Sequence, residues 1–374
     1  MNDIDYMHVA LDLAELGKHT VPPNPMVGAV IVREGCIVGK GWHQKAGGPH
    51  AEVLAIHEAG ALTDGSTLYV TLEPCSHTGK TPPCADLIIK SGIQRVVCAM
   101  QDPFYRVNGM GIHRLRKAGI KVDVGILERE TQHLNRGYLQ VIQYQRPYII
   151  GKWAMTLDGK TATSNGESKW ITGEESRYDA HRLRAASDAV TVGIGTVLAD
   201  NPQLTVRYGR PFRQPLRVVW DTNGRIPLSS KLLTEIPQNT IVLVGEHCPD
   251  RTIQNIRFTG ATVFPLPVSA SNRLNLQEGL KLLATQCHIQ ELFVEGGSTL
   301  LGELLDYDFL DEIVTYIGPK AFGGENARGA IGGQGVSHLV DARKYSVTDV
   351  VRCGTDIKIT YHRCRGGTYV HRID

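Results

Sequence analysis

A chain of 374 residues, 42% hydrophobic and with a formal charge of only +2, has apolar residues enough for two or three domains of roughly 100–200 residues each. The charge is nearly balanced, with no basic tract and no aromatic residues interleaved with basic ones, which argues against a nucleic-acid partner. Eight cysteines spread along this length are no disulfide framework, no signal pattern opens the chain, and no apolar run approaches the ~18 residues of a membrane span; a cytoplasmic protein with reduced thiols is expected.

Residues 3–18 predict a helix, with Met7, Ala10, Leu11 and Ala14 at the helical period, acidic residues early and Lys18 late. Pro22-Pro23-Asn24-Pro25 reads as a rigid loop, and Val27–Val32 as a buried strand. Asn24, at the strand entrance, is either a turn residue or a side chain with donor and acceptor for the edge of a base. Gly39 to Pro49 reads as a glycine-rich loop holding Trp42 and His43, and His43 alone reads as a surface residue. His50 opens a helical stretch through about Gly60, with Glu52 in the same first turn. A strand near Leu68–Leu72 then delivers Glu73, Pro74 and Cys75 to a loop, and Pro82-Pro83 suit the start of a helix carrying Cys84. Val96–Met100 and Ile120–Ile126 read as further strands, and 129–145 as one amphipathic helix that Arg146-Pro147 ends. Strands alternating with helices predict an α/β sandwich over 1–145.

His50, Cys75 and Cys84 are the donor types of a catalytic zinc site, which keeps one position open for water. The metal acidifies that water, and a carboxylate that is not a ligand is needed beside it to move protons. Glu52, two residues from His50, fills that need; H-x-E, then P-C, then a second Cys is the pattern of the zinc-dependent nucleobase deaminases. The usual gap between the thiols is two residues, whereas Ser76 to Pro83 lie between them here. A closed structural site with His77 as fourth ligand is the alternative, and it gives Glu52 nothing to do. Lys80, between the thiols, pairs with a phosphate or with nothing.

The second half restarts with the strand Tyr148–Met155 and the turn Thr156-Leu157-Asp158-Gly159-Lys160. A helix is expected near 174–187, bearing Arg182 and Arg184, and strands at Ala189–Val192, Leu216–Trp220, Ile241–Val244 and Leu292–Val294. The last strand ends in Glu295-Gly296-Gly297-Ser298, where a helix begins; this is either an anion cradle or a helix capped by Ser298. No G-x-G-x-x-G opens a βαβ unit, so the Rossmann pattern is not present. His362–Asp374 reads as a polar tail, with Cys364 a lone thiol.

The stretch Thr71-Leu72-Glu73-Pro74-Cys75-Ser76-His77-Thr78-Gly79-Lys80-Thr81-Pro82-Pro83-Cys84 closely resembles the deaminase half of the bifunctional riboflavin-biosynthesis deaminase–reductases, in which the long gap between thiols is itself a mark. Pro23-Asn24-Pro25-Met26-Val27-Gly28 and Gln101-Asp102-Pro103 belong to the same resemblance. The second half resembles the reductase domain of that family in Lys152–Gly159, Ser168–Thr172, Thr196–Arg207 and Val294–Gly297. The resemblance implies a cytidine-deaminase-like three-layer α/β sandwich over 1–145, a dihydrofolate-reductase-like α/β domain over 146–361 and the tail beyond. It implies zinc on His50, Cys75 and Cys84, Glu52 as the proton carrier, and Asn24, His43 and Lys80 on the deaminase substrate. It implies NADPH lined by Ala154, Trp170, Thr196, Asp200, Thr222, Gly297, Ser298, Thr299, Leu300, Leu301, Gly302 and Glu303. Ser168, Arg184, Leu204, Arg207 and Glu295 would contact the sugar-phosphate substrate, the two arginines offering planar forks to a phosphate ester. Lys152 would lie near the reacting sugar, with no proton-transfer role assigned. The partners implied are small phosphorylated pyrimidines, and a homo-oligomer, most simply a dimer, follows by analogy.

Overall fold

The computed structural model describes residues 1–76, 82–209, 213–270 and 272–364. The chain divides into two compact units, Met1–Gln145 and Arg146–Asp374.

In the first unit the strands are β1 (Gly28–Arg33), β2 (Cys36–Trp42), β3 (Thr67–Leu72), β4 (Arg95–Met100) and β5 (Lys121–Val124). The helices are α1 (Asp3–Glu15), α2 (Ala51–Ala59), α3 (Cys84–Lys90), α4 (Met110–Lys117), α5 (Glu128–Leu134) and α6 (Arg136–Tyr144). The sheet order is β2-β1-β3-β4-β5, with β1 antiparallel to both neighbours and β3, β4 and β5 parallel. Alternate residues of β1 feed two cores, as the two-residue strand period requires. Val30 and Val32 pack with Tyr6, Met7 and Ala10 of α1, while Ala29 and Ile31 pack with Ala51 and Ala55 of α2, Ile88 of α3 and Leu115 of α4. Helices on both faces of one sheet make three layers.

Several elements depart from the sequence reading. α1 stops at Glu15, and Leu16–Thr20 form turns, so Lys18 lies beyond the helix. Gly39, Gly41 and Trp42 belong to strand β2, not to a loop. A Cβ on Gly39 or Gly41 would run into the backbone oxygen of Ala55 or Ala51, so the glycines are there to let α2 lie against the strand. His50 is the extended N-cap residue of α2 (φ −74°, ψ 161°), one position before the first turn. The helix expected over 129–145 breaks at Asn135, whose buried carboxamide accepts from Met26 N (2.8 Å) and donates to Met26 O (3.0 Å).

In the second unit the strands are β6 (Tyr148–Thr156), β7 (Lys160–Ala162), β8 (Ala189–Gly193), β9 (Leu216–Trp220), β10 (Thr240–Gly245), β11 (Thr262–Leu266), β12 (Glu291–Glu295), β13 (Glu312–Gly318), β14 (Arg328–Gly329), β15 (Tyr345–Cys353) and β16 (Asp356–Arg363). The helices are α7 (Glu174–Ala186), α8 (Ile194–Asp200), α9 (Lys231–Thr234), α10 (Asp250–Phe258), α11 (Leu276–Thr285) and α12 (Ser298–Asp306). The large sheet runs β11-β10-β9-β8-β12-β6-β13-β16-β15, parallel as far as β13 and closed by the antiparallel hairpin β15–β16. β7 and β14 form a separate antiparallel pair. One face of the large sheet packs on residues of α7, α8 and α10, the other on the leucines of α11 and α12. The sheet is therefore doubly wound, and the loops at the carboxyl ends of its parallel strands are where such folds bind ligands. His362 and Arg363, expected in the polar tail, are the last residues of β16, where they pair with Ser346 and Tyr345.

Candidate active sites

The first unit brings His50, Cys75 and Cys84 together at the ends of three elements: the N-cap of α2, the loop after β3 and the first residue of α3. His50 Nδ1 lies 3.2 Å from Cys84 Sγ and 3.6 Å from Cys75 Sγ, and the three donor atoms all lie within 4.8 Å of one another. Cys75 also accepts the Cys84 backbone N–H at the start of α3 (3.4 Å). The hydrogen bond with Cys84, helped by His50, lowers the Cys75 thiol pKa, while the same pairing and burial push Cys84 up. Two sulfurs and one imidazole nitrogen suit zinc, and a three-donor set leaves room for a non-protein ligand. His77, the alternative fourth donor, lies outside the described residues, as does Lys80.

Glu52 is 3% exposed, in the first turn of α2, and burial raises its pKa. It opens with His50 and Cys75 onto a cavity of about 300 Å³ that Asn24 and His43 also line. His43 Nδ1 sits 3.0 Å from Pro49 O and must donate there, so its Nε2 accepts from Asn24 Nδ2 (3.0 Å). That tautomer is neutral, and burial lowers the His43 pKa accordingly.

Glu73, Asp102 and Tyr138 also line this cavity. Glu73, immediately before Pro74-Cys75, is buried and takes four backbone N–H groups: Asp102 (3.2 Å) and Gly109 (2.8 Å) on Oε2, Gly111 (2.8 Å) and Ile112 (3.2 Å) on Oε1. It ties the 102–112 segment to the thiol loop. Gly111 is required there, because a Cβ would strike Pro74 O. Asp102 lines the cavity and accepts from Tyr138 Oη of α6 (3.1 Å) and Phe104 N (2.9 Å). Glu73 and Asp102 stand in quoted motifs, but nothing in the sequence says what their carboxylates hold.

In the second unit Lys152 of β6 and Glu295 of β12 are register partners on adjacent parallel strands. Arg184, on the inner side of α7, grips Glu295 with two hydrogen bonds (Nε 2.8 Å, Nη2 2.6 Å) and donates to Thr205 O. Burial alone would raise the Glu295 pKa, but Arg184 and Lys152 outweigh it and hold the carboxyl below its usual range. Burial lowers the ammonium pKa of Lys152, which sits 5.5 Å from the Tyr316 ring centre. The Arg184 fork is thus held by Glu295 and Thr205 O, and it stands on the same side of the sheet as Lys152. Arg207 is exposed, its guanidinium bonded to Gln203 Oε1 (3.2 Å). Leu204 is buried in the core with φ +54°, so only its backbone remains for a ligand. Ser168 is half-buried between β7 and α7. Sequence reading also passed over His181, one turn before Arg184, whose Nδ1 accepts from Arg207 N (3.2 Å). Burial, Arg184 and Arg207 together bring His181 down to about 4.

Gly296 (φ +81°) and Gly297 (φ +83°) make the turn from β12 into α12, a conformation glycine adopts at little cost. Thr196 stands beside Gly297: a Cβ there would be 3.3 Å from its Oγ1. Of the run expected on the cofactor, Ser298 and Thr299 open the helix, but Leu300 and Leu301 are buried in the core and Gly302 packs on Gly332. Glu303 pairs with Arg273 (3.5 Å). Trp170 is 60% exposed with Arg177 over its ring, and its neighbour Lys169 reaches Asp200 (3.3 Å). Ala154 is half-buried on β6, and Thr222, after β9, accepts from Gly245 N (2.8 Å).

Residues 1–100 match the family described as the cytidine and deoxycytidylate deaminase zinc-binding region, and residues 147–359 match the RibD C-terminal domain. With the fold and the three-donor centre, this defines a pyrimidine deaminase joined to a reductase. The RibD riboflavin-biosynthesis protein of Aquifex aeolicus is 45% identical over 361 residues, covering 96% of this chain and 98% of that one. The solved RibD of Acinetobacter baumannii superposes with TM-score 0.85 at 37% identity, covering 97% of this chain and 99% of that one. A Thermotoga maritima structure described as a diaminohydroxyphosphoribosylaminopyrimidine deaminase/5-amino-6-(5-phosphoribosylamino)uracil reductase superposes at 0.81 with 36% identity, over 97% and 99%. The chain belongs to the RibD family and is a bifunctional deaminase and reductase of riboflavin biosynthesis. Among its described residues no helix is long and apolar enough to cross a membrane.

Proposed function

We propose that the first unit hydrolytically deaminates 2,5-diamino-6-(5-phosphoribosylamino)pyrimidin-4(3H)-one at a zinc site of His50, Cys75 and Cys84. The second unit then reduces the ribosyl chain of the product with NADPH to give 5-amino-6-(5-phosphoribitylamino)uracil. One observation carries this reading: three zinc-type donor atoms within 4.8 Å of one another, beside a buried carboxylate that is not among them. Zinc, when bound, supplies the Lewis acidity that makes water acidic near neutral pH. Glu52 takes a proton from the attacking water and delivers it to the departing amine, which leaves as ammonia. A buried carboxyl with a raised pKa is suited to both halves of that transfer. Asn24, fixed by His43, reads the pyrimidine edge, and Lys80 takes the phosphate.

NADPH, when bound, supplies hydride to the carbonyl carbon of the open-chain sugar. Gly297, Ser298 and Thr299 present the N-terminus of α12 to its phosphates, with Thr196 beside them. Ala154, Trp170, Asp200 and Thr222 complete that side, and Glu303 closes the α12 contribution. Arg207 and Ser168 take the substrate phosphate, the Leu204 backbone lies along the sugar, and Glu295, aligned by Arg184, contacts it. A homodimer in the cytoplasm accords with this reading, and β15, the outermost strand of the large sheet, exposes Val347, Val350 and Val351; sedimentation of the full chain tests the dimer.

The test is NADPH consumption with the diaminopyrimidine ribosyl phosphate, comparing wild type with Glu52→Ala. Wild type should consume NADPH, and the variant should do so only with pre-deaminated substrate while keeping its zinc. If neither consumes NADPH even from deaminated substrate, the reductase assignment fails.

A further inference from the structure

We infer that His181 is a positioning residue of the reductase site: it fixes the backbone at Arg207 and so sets where that guanidinium meets the phosphate of the substrate. The inference rests on the reading of Arg207 as the phosphate contact.

The segment 203–207 belongs to no strand or helix, with Leu204 at φ +54°, and side chains supply its hydrogen bonds. Arg217 donates to Gln203 O (3.3 Å), Arg184 donates to Thr205 O, and the Gln214 carboxamide accepts from Val206 N (2.8 Å) and donates to Val206 O (3.1 Å). The last anchor is His181 Nδ1, which accepts from Arg207 N at 3.2 Å. Leu204 and Val206 are buried, whereas Thr205 is half-buried and Arg207 exposed. His181 and Arg184 are three residues apart on α7, hence on one face, and both are buried. That face holds the segment at two points and Glu295 at a third.

The local chemistry favours this role over simple packing. A nitrogen that accepts from an amide carries no proton, so the ring is neutral with its hydrogen on Nε2. Burial, with Arg184, Arg207 and Lys152 within electrostatic reach, keeps the ring neutral, which leaves Nδ1 free to accept. The Tyr208 ring meets the imidazole edge-on (centroids 4.8 Å, 89°), locking its orientation. Gln203 then holds the guanidinium of Arg207 (3.2 Å) and is itself held by Glu235 (2.9 Å). The backbone of Arg207 and its head group are set independently, and His181 sets the first.

The test is steady-state reduction of 5-amino-6-(5-phosphoribosylamino)uracil, and of its dephosphorylated counterpart, by the full-length protein at saturating NADPH. His181→Leu, His181→Asn, Arg207→Ala and the His181→Leu/Arg207→Ala double variant are compared with wild type. Loss of the acceptor should raise KM for the phosphorylated substrate about tenfold, with kcat within about twofold. His181→Asn, whose Oδ1 can take the place of Nδ1, should stay within about twofold of wild type. The double variant should be no worse than Arg207→Ala, and the dephosphorylated substrate should not distinguish His181→Leu from wild type. If the Leu variant does not fold, His181→Phe, which keeps a ring against Tyr208 without the acceptor, takes its place. An unchanged KM, a fall confined to kcat, or an equal penalty on the dephosphorylated substrate overturns the inference while leaving Arg207 as phosphate contact. An unchanged KM in Arg207→Ala overturns the phosphate reading and, with it, this inference.

Discussion

The metal centre takes its donors from residues 50, 75 and 84, and each donor is a residue type whose chemistry names its role. The charged residues proposed for the reductase site, Lys152, Arg184, Arg207 and Glu295, come from a stretch more than four times as long, and none of them names a role by itself. The difference follows from what each site binds. A metal is held by particular side-chain atoms, so its ligands are readable as letters. A dinucleotide and a sugar phosphate are held largely by strand ends, helix N-termini and ion pairs, which exist only after a parallel sheet has aligned its carboxyl ends. The two sites also differ in how charge is managed. In the first, one buried carboxyl, Glu52, has its pKa raised; in the second, buried Glu295 is kept ionised by a fork of hydrogen bonds from Arg184.

Metal removal separates the two units most sharply. Exhaustive chelation should reduce deamination by at least about a hundredfold, while reduction of pre-deaminated substrate continues within about twofold. Ammonia release and NADPH consumption, followed in parallel, check this; equal loss of both activities would remove the distinction. Next in size is Arg184→Met. It leaves Glu295 buried without its partner, a change that costs about 3–5 kcal/mol. The second unit should unfold at clearly lower denaturant, and reductase activity should fall, with ammonia release preserved. Glu295→Gln in the same background should restore part of the lost stability, since it removes the orphaned charge.

That contrast also explains what could be read in advance. The strands that are buried on both faces, such as β1, β4, β8 and β9, announce themselves as short apolar runs, and the sequence places them within a residue or two. Strand β2 is masked by Gly39 and Gly41, which look like loop residues until α2 lies over them. The break between α5 and α6 depends on Asn135 pairing with Met26, 109 residues away, and no local pattern encodes that. Hairpin β15–β16 exposes most of β15, so it lacks the alternation that marks a half-buried strand. Among the site residues, His50, Glu52, Cys75 and Cys84 stand out by type and order. Glu73 and His181 do not, because their partners are backbone amides of distant segments. Arg184 stands between the two cases: a fork suits a phosphate and a carboxylate equally well, and only the fold shows that Glu295 is bonded to it.

Glu73→Gln probes how the first site is braced, as Arg184 probes the second. The substituted amide turns one acceptor into a donor facing backbone N–H groups, at a cost of about 1–3 kcal/mol. Zinc content should stay the same, since Glu73 is not a donor to the centre, while the deaminase KM rises as the 102–112 segment loosens. A variant that loses zinc with KM unchanged would make Glu73 a support of the thiol loop rather than of the cavity wall.

The smallest effect is expected at Asp3, the surface counterpart of the buried Arg184–Glu295 pair. Arg95 donates to both Asp3 oxygens (2.9 and 2.7 Å) and Tyr69 Oη adds a third bond (2.6 Å), but both charged side chains are roughly a quarter to a third exposed. These hydrogen bonds, Arg95 first, hold the Asp3 carboxyl down at about 2, against an ordinary 3.8. A lowered carboxyl pKa stabilises the fold above the ordinary value, and that contribution fades as pH falls from 3.8 through about 2. Water screens a pair this exposed, so it contributes at most about 1 kcal/mol. Asp3→Asn should therefore lower the stability of the first unit only slightly at neutral pH, and most of the difference from wild type should be gone at pH 2. Denaturant unfolding at pH 7, 4 and 2 measures it. A deficit as large as that of Arg184→Met, or one that persists undiminished at pH 2, would mean that burial is not what separates the two ion pairs.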